Sequence, residues 1–198
     1  MVQVFDNVIT DEENRVLLNY VAVDNEYSDR SHLGMHRKGY SPQTSPDLVK
    51  IVTNVLDRIL EKSYKIELLL LMDHQVEIKP HTDGAGAPRE YLAITLMLDA
   101  PPDNSGGTVF FNNYTINCFY SYGMNPENIT NYTNVPFPED LRNQYCSFLP
   151  AEAVHGLLLD HCVAWRPNRA MTFSLNQIHC ASSGAKGKKF IVVYTHLA

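Results

Sequence analysis

From Ile66 to the C-terminus the chain reads as strand, turn, strand, and this limits the fold more than any other feature. Residues 89–98, REYLAITLML, form an apolar, β-branched and aromatic run of the kind that makes a buried strand. Residues 100–107, APPDNSGG, are a strong turn signal, and a further short strand follows at 108–111. Residues 170–179, AMTFSLNQIH, read as a strand with a histidine at its end. Residues 184–187 read as a turn, and 188–195, KKFIVVYT, as the last strand. Short strands separated by turns indicate a sandwich or barrel rather than an α/β sheet.

Before Ile66 the signals are helical. Thr10-Asp11-Glu12-Glu13 is a capping box, which starts a helix running to about Val23. Residues 24–43 are polar and contain glycine, so they read as a loop. Ser45-Pro46-Asp47 is a second helix start, with Ser45 as N-cap and Pro46 at the first helical position. Leu48, Ile51, Val52, Val55, Leu56 and Ile59 recur at helical spacing, so that helix packs one face on the core through about Lys62. Helices first and strands after give an α+β chain, with N-terminal helices buttressing a jelly roll. The expected organisation is one domain over residues 1–198. It comprises a helical buttress at 1–64 and a jelly-roll core at 65–198 interrupted by an insert at 112–150. The insert is rich in Asn, Tyr and Pro. Its tyrosines (Tyr114, Tyr120, Tyr122, Tyr132) suggest a substrate-selecting loop at the open end of the barrel.

His81-Thr82-Asp83 carries the chemistry. Two side chains two residues apart on extended backbone point the same way, so His81 and Asp83 can reach one metal ion. A second histidine would complete a two-His, one-carboxylate facial triad, the ligand set of non-haem Fe(II) oxygenases. His155, His161, His179 and His196 are the candidates. A lone His-x-Asp is equally compatible with a solvated strand end, so the surrounding sequence has to decide.

Five pieces occur in order: His81-Thr82-Asp83, the strand at 89–98 containing Thr95, Gly106-Gly107-Thr108-Val109-Phe110, His179, and Gly187-Lys188-Lys189. In this the chain resembles the 2-oxoglutarate and Fe(II)-dependent oxygenases, most of all their prolyl-hydroxylase-type branch, over about residues 70–198. The resemblance implies a double-stranded β-helix, with Fe(II) held by His81, Asp83 and His179 as the catalytic centre. It implies 2-oxoglutarate as co-substrate, dioxygen as oxidant and ascorbate as a supporting reductant. The family uses a cation for the far carboxylate of 2-oxoglutarate, and a lysine in collagen-type prolyl hydroxylases. Lys189 stands ten residues beyond His179 and Lys188 nine. Alternation lets only one face inward, both faces of the strand are apolar, and spacing favours Lys189. Thr95 matches a strand threonine that lines the co-substrate pocket in the family, and is equally a β-branched strand filler. The reaction implied is hydroxylation of a small molecule, amino acid or peptide prolyl residue, with succinate and carbon dioxide as co-products. A cupin-like metalloenzyme without 2-oxoglutarate, and a metal-free jelly-roll binding module, are the alternatives.

Composition narrows the partners. A net charge of −6 argues against a phosphate-binding surface and hence against nucleic acid. No run of about 18 apolar residues is present to span a membrane, and no signal-peptide pattern is visible at the N-terminus. A cytoplasmic location is therefore expected, with the sequons at Asn113, Asn128 and Asn131 incidental. Cys118, Cys146, Cys162 and Cys180 lack a CxxC pairing and read as reduced thiols.

Overall fold

The structure is a computed structural model. It describes residues 2–23, 28–30, 35–40, 45–74, 77–84, 87–88, 90–100, 106–112, 136–184 and 187–197, with 22–23, 28–30 and 35–40 described by backbone alone. Two antiparallel sheets dominate. The larger has seven strands: β1 (Gln3–Phe5), β2 (Ser28–Arg30), β3 (Met35–Tyr40), β4 (Tyr64–His74), β5 (Tyr91–Asp99), β8 (Arg169–Ser174) and β10 (Lys188–Leu197). Their order across the sheet is β1-β8-β5-β10-β4-β3-β2. The smaller consists of β6 (Gly107–Phe111) between β7 (Leu159–Ala164) and β9 (His179–Ala181). Three helices accompany them: α1 (Asp11–Val23), α2 (Pro46–Leu56) and α3 (Glu139–Tyr145).

Strand alternation divides the large sheet into two apolar faces. Leu69, Leu71, Ile94, Leu96, Leu98, Ala170, Ile191 and Val193 face the helices and pack with Leu17, Val21, Leu48, Val52, Val55 and Leu56. Met72, Ala93, Met97, Met171, Phe173, Phe190 and Val192 face the small sheet and pack with Phe110, Val163 and Trp165. Ile66 and Leu69 share the helix-facing side although they stand three positions apart. The β4–β10 register shifts between Tyr194 and Thr195, which inserts one residue and restores the phase. On the outer side of the small sheet, Val109, Phe111 and Cys180 pack with Phe137, Cys146, Leu149 and Val154.

The capping box forms as expected. The Thr10 amide donates to Glu13 Oε2 at 2.9 Å and the Glu13 amide to Thr10 Oγ1 at 3.2 Å. Glu13 also takes both arms of the Arg58 guanidinium at 2.7 Å, which ties the start of α1 to the end of α2. Arg58 is the main reason the Glu13 carboxyl is pulled down to about 2. Because its folded pKa is depressed, this contribution is complete above pH about 4.5 and is lost as pH falls toward 2. Glu13→Ala should lower stability by about 1–2 kcal/mol at pH 7, mostly as a lost cap. In urea melts that deficit should vanish near pH 2.

Several expectations need correction. α2 ends at Leu56 rather than near Lys62, and Ser45 holds the N-cap position without a side-chain capping bond. Ile59 is nevertheless buried, held in a turn by its amide bond to the Leu56 carbonyl. Residues 24–43 are not simply a loop, since β2 and β3 lie within them and extend the sheet beyond β4. The segment MHRKGY has no apolar alternation, so pairing with β4 and β2 makes it a strand. Residues 1–64 therefore supply three strands as well as two helices. Residues 113–135 of the expected insert, with its four named tyrosines, lie outside the described residues, as does Arg89. Within the described part of the insert, Phe137 and Leu149 enter the core on either side of α3. The Ser183 amide donates to the Tyr145 carbonyl at 2.7 Å, anchoring α3 beside the small sheet. No helix among the described residues is long and apolar enough to cross a membrane.

Gly107 is required by space. A Cβ there would meet the Val163 carbonyl oxygen at 2.5 Å and Cys162 Sγ at 2.8 Å, both on the paired strand β7. Gly107→Ala should push β6 and β7 apart and cost about 1–3 kcal/mol, the usual range for overpacking. Thermal denaturation of the variant measures this directly.

Candidate metal centre

Three segments converge between the sheets. The turn after β8 runs through residues 175–178, with the Gln177 amide bonded to the Ser174 carbonyl at 2.9 Å. The 170–179 run is therefore not one strand: β8 ends at Ser174, and His179 opens β9 in the other sheet. That crossing carries His179 to His81. The two residues exchange both backbone bonds at 2.9 Å, as a closely hydrogen-bonded antiparallel pair does. The Gly84 amide bonds the Leu175 carbonyl at 3.0 Å, and Asn176 Nδ2 bonds the Ala87 carbonyl at 2.6 Å, fixing the far side of the His81 segment. Gln177 Nε2 donates to the Phe111 carbonyl at 2.6 Å, tying the same turn to β6.

His81, Asp83 and His179 each offer one ligand atom, and these atoms lie within 4.8 Å of one another. His81 Nε2 is 3.7 Å from Asp83 Oδ1, and His179 Nε2 is 3.9 Å from Asp83 Oδ2. Both opposite ring nitrogens face carbonyl oxygens: His81 Nδ1 lies 2.8 Å from Lys79 O and His179 Nδ1 lies 3.0 Å from Gln177 O. A carbonyl can only accept, so Nδ1 carries the proton in each ring and Nε2 keeps its lone pair. This outer hydrogen bond is the usual device for orienting a metal-ligating imidazole. Burial, with His81 nearby, pulls the His179 pKa down to about 4, so its ring is neutral near pH 7. Neutral imidazole is the form that binds a metal. Phe173 stands edge-on to the His179 ring at 4.7 Å between centroids and limits its tilt.

The rival histidines lie elsewhere. His161 pairs with Asp160 at 3.0 Å and stacks on Phe110, and His196 stacks on Tyr91. Neither they nor His155 belong to the cluster.

A cavity of about 670 Å³ contains all three clustered residues, and with them Thr95, Lys188 and His74. Its apolar wall includes Leu70, Met72, Met171, Phe173 and Phe190. The lysine expectation is corrected here. Lys188, at 3% exposure, lines the cavity on the same face of β10 as Phe190, Val192 and Tyr194. Lys189 points away, a third exposed, with its ammonium 3.9 Å from Asp99. The reason is one of phase: Ile191 and Val193 face the helices, which puts Lys189 outside the cavity. The Lys188 ammonium lies 4.4 Å from the centre of the Trp165 ring, and no carboxylate among the described residues pairs with it. Burial lowers its pKa to about 8, opposed in part by Cys180, Cys162 and Glu77.

Sequence reasoning missed His74. It sits at the end of β4 at 1% exposure, and neither ring nitrogen has a hydrogen-bond partner. Nothing in the sequence distinguishes it from a strand-end histidine. Only the β4–β10 register, which puts it directly opposite Lys188, brings it into the cavity.

The donor set fits a facial-triad metal, because two lone-pair-presenting imidazoles and one carboxylate lie together with room beside them. A buried cation without a carboxylate partner and an unpartnered imidazole fit an anionic ligand in the same cavity.

No protein-family model matches the sequence, and no curated protein matches it. Solved structures do match. The non-heme alpha ketoglutarate dependent epimerase SnoN from nogalamycin biosynthesis superposes with a TM-score of 0.63 at 12% identity, covering 100% of this chain and 78% of that one. The viral collagen prolyl hydroxylase of Paramecium Bursaria Chlorella virus-1 gives 0.56 at 12% identity, covering 100% and 90%. HygX from Streptomyces hygroscopicus, solved with nickel, 2-oxoglutarate and hygromycin B bound, gives 0.56 at 10% identity, covering 99% and 82%. These structures are named for alpha ketoglutarate-dependent epimerisation, for prolyl hydroxylation and for bound 2-oxoglutarate with hygromycin B, and what this chain shares with them is the fold.

Proposed function

We propose that residues 1–198 form one domain, a non-haem Fe(II)- and 2-oxoglutarate-dependent oxygenase built on a double-stranded β-helix. The observation that carries the reading is the pairing of two features in one cavity. One is the His81, Asp83 and His179 cluster with Nδ1 of each imidazole held on a backbone carbonyl; the other is a buried lysine without a carboxylate partner.

In this reading His81, Asp83 and His179 hold Fe(II). When bound, the metal with 2-oxoglutarate and dioxygen supplies oxidative chemistry that converts 2-oxoglutarate to succinate and carbon dioxide while oxidising a second substrate. The chain supplies the rest. The Lys79 and Gln177 carbonyls hold the two imidazoles in the ligating tautomer. Lys188 neutralises the far carboxylate of the co-substrate, where burial makes a point charge count for more than in water. Thr95 lines the same pocket. Met72, Met171, Phe173 and Phe190 keep water from the reacting region. The second substrate is a small molecule or a peptide. A lysine anchor agrees with the prolyl-hydroxylase-type branch, whereas the epimerase SnoN and the carbocyclase SnoK are named for reactions other than hydroxylation. A reducing cytoplasmic setting goes with the reading, since Fe(II) needs it and Cys146, Cys162 and Cys180 are free thiols.

The test is succinate formation from 2-oxoglutarate with Fe(II), ascorbate and air. Slow succinate release without second substrate is the expected result. Tight metal binding with no succinate under any condition would favour the cupin-like alternative. Failure to bind a divalent metal at all would favour a metal-free binding module.

A further inference from the structure

His74 is a strongly buried polar side chain of the cavity, and the proposed reaction leaves it unused. Both of its ring nitrogens lack a partner, although leaving a buried polar atom unsatisfied costs about 1–3 kcal/mol. The site is built to hold it there. His74 and Lys188 are direct cross-strand partners, and the Gly187 amide bonds the His74 carbonyl at 2.8 Å. Directly opposed residues have their Cβ atoms about 5 Å apart and their side chains on one face. Phe190 stands edge-on to the imidazole at 4.6 Å between centroids, which fixes the ring plane.

The chemistry of this pair defines its ligand. Burial and the neighbouring Lys188 charge hold His74 neutral, so it offers one N–H donor and one acceptor. Lys188 offers donors only and carries the charge. A carboxylate satisfies both, since its two oxygens can accept from an ammonium and from an imidazole N–H together. An apolar group leaves both side chains unsatisfied, and a cationic one leaves Lys188 without a counter-charge. Resting on the oxygenase reading above, we propose that His74 donates a hydrogen bond to the same distal carboxylate that Lys188 neutralises. His74 is then a specificity-determining residue for dicarboxylic over monocarboxylic 2-oxo acids. The lysine supplies attraction at any angle, and the imidazole supplies direction, fixing how far from the metal the carboxylate must sit.

The experiment uses the full chain loaded with Mn(II) under argon, which allows binding without turnover. Calorimetry compares 2-oxoglutarate with 2-oxovalerate, which has the same five carbons but no distal carboxylate. In the wild type 2-oxoglutarate should bind far more tightly. His74→Phe, and His74→Leu should Phe prove too large for the fold, should weaken 2-oxoglutarate about tenfold or more and leave 2-oxovalerate unchanged, the loss of one charge-assisted bond. His74→Gln, which restores a donor, should recover part of the loss. Unchanged 2-oxoglutarate affinity in folded His74→Phe or His74→Leu protein would overturn the proposal, as would an equal loss for both oxo acids. A wild-type protein that holds Mn(II) but binds neither acid would overturn the oxygenase reading as well. Wild-type binding with an indifferent His74 would overturn only this inference.

Discussion

His81→Ala, Asp83→Ala and His179→Ala should each abolish Fe(II)-dependent succinate formation while leaving the fold intact. Each removes one of three donors that lie within 4.8 Å of one another, and no fourth acidic, histidine or cysteine group joins them among the described residues. Loss of a metal's outer hydrogen-bond partner costs roughly 10–100-fold, so loss of a ligand should exceed that. The structural cost should be small, because the backbone bonds between residues 81 and 179 do not involve the side chains. A second readout separates metal binding from chemistry. At a Mn(II) concentration of about 100 times its dissociation constant, the wild type should gain about 2.7 kcal/mol of stability, and the variants should gain little. His161→Ala should retain activity, because His161 pairs with Asp160 outside the cluster. An active His179→Ala enzyme beside an inactive His161→Ala enzyme would show that the distal ligand is misassigned.

Lys188→Ala should raise the apparent 2-oxoglutarate requirement by a hundredfold or more, and Lys189→Ala should leave it near the wild-type value. A buried carboxylate that loses its counter-charge is disfavoured by roughly 3–5 kcal/mol, and each 1.4 kcal/mol is a factor of about ten. Lys189 lies at the surface beside Asp99, where an ion pair is worth little. The pH dependence follows from burial. In the unliganded site Lys188 titrates at about 8, so it is charged below that pH. Affinity for 2-oxoglutarate should therefore be highest below pH 8 and fall about tenfold per unit above it, until the lysine requirement disappears. Stability of the unliganded protein should run the other way. The unfolded lysine holds its proton up to about 10.5 while the folded one has lost it by about 8, so stability rises with pH across that interval. Lys188→Met should then melt higher than the wild type in the absence of co-substrate while binding it poorly. A Lys189 requirement with an indifferent Lys188 would mean that β10 is out of register by one residue.

The sequence by itself determined the features whose cause is local. The capping box from Thr10 to Glu13 starts α1 because both hydrogen bonds are made within four residues. The strands at 91–99, 107–111 and 188–197 follow from apolar runs bounded by turns. His81 and Asp83 share a side because they stand two positions apart on extended backbone. Tertiary structure decided everything that depends on pairing. β3 is polar and becomes a strand by pairing with β4 and β2. His179 reaches His81 because the chain leaves the large sheet at Ser174 and re-enters the small one, a crossing that apolar pattern alone does not mark. Lys188 rather than Lys189 enters the cavity because both faces of β10 are buried: one packs on helices and the other lines the cavity. A one-residue phase therefore carries no hydropathy signal. His74 acquires its position from the same register, since a histidine at a strand end becomes a binding group only when the strand opposite brings Lys188 beside it.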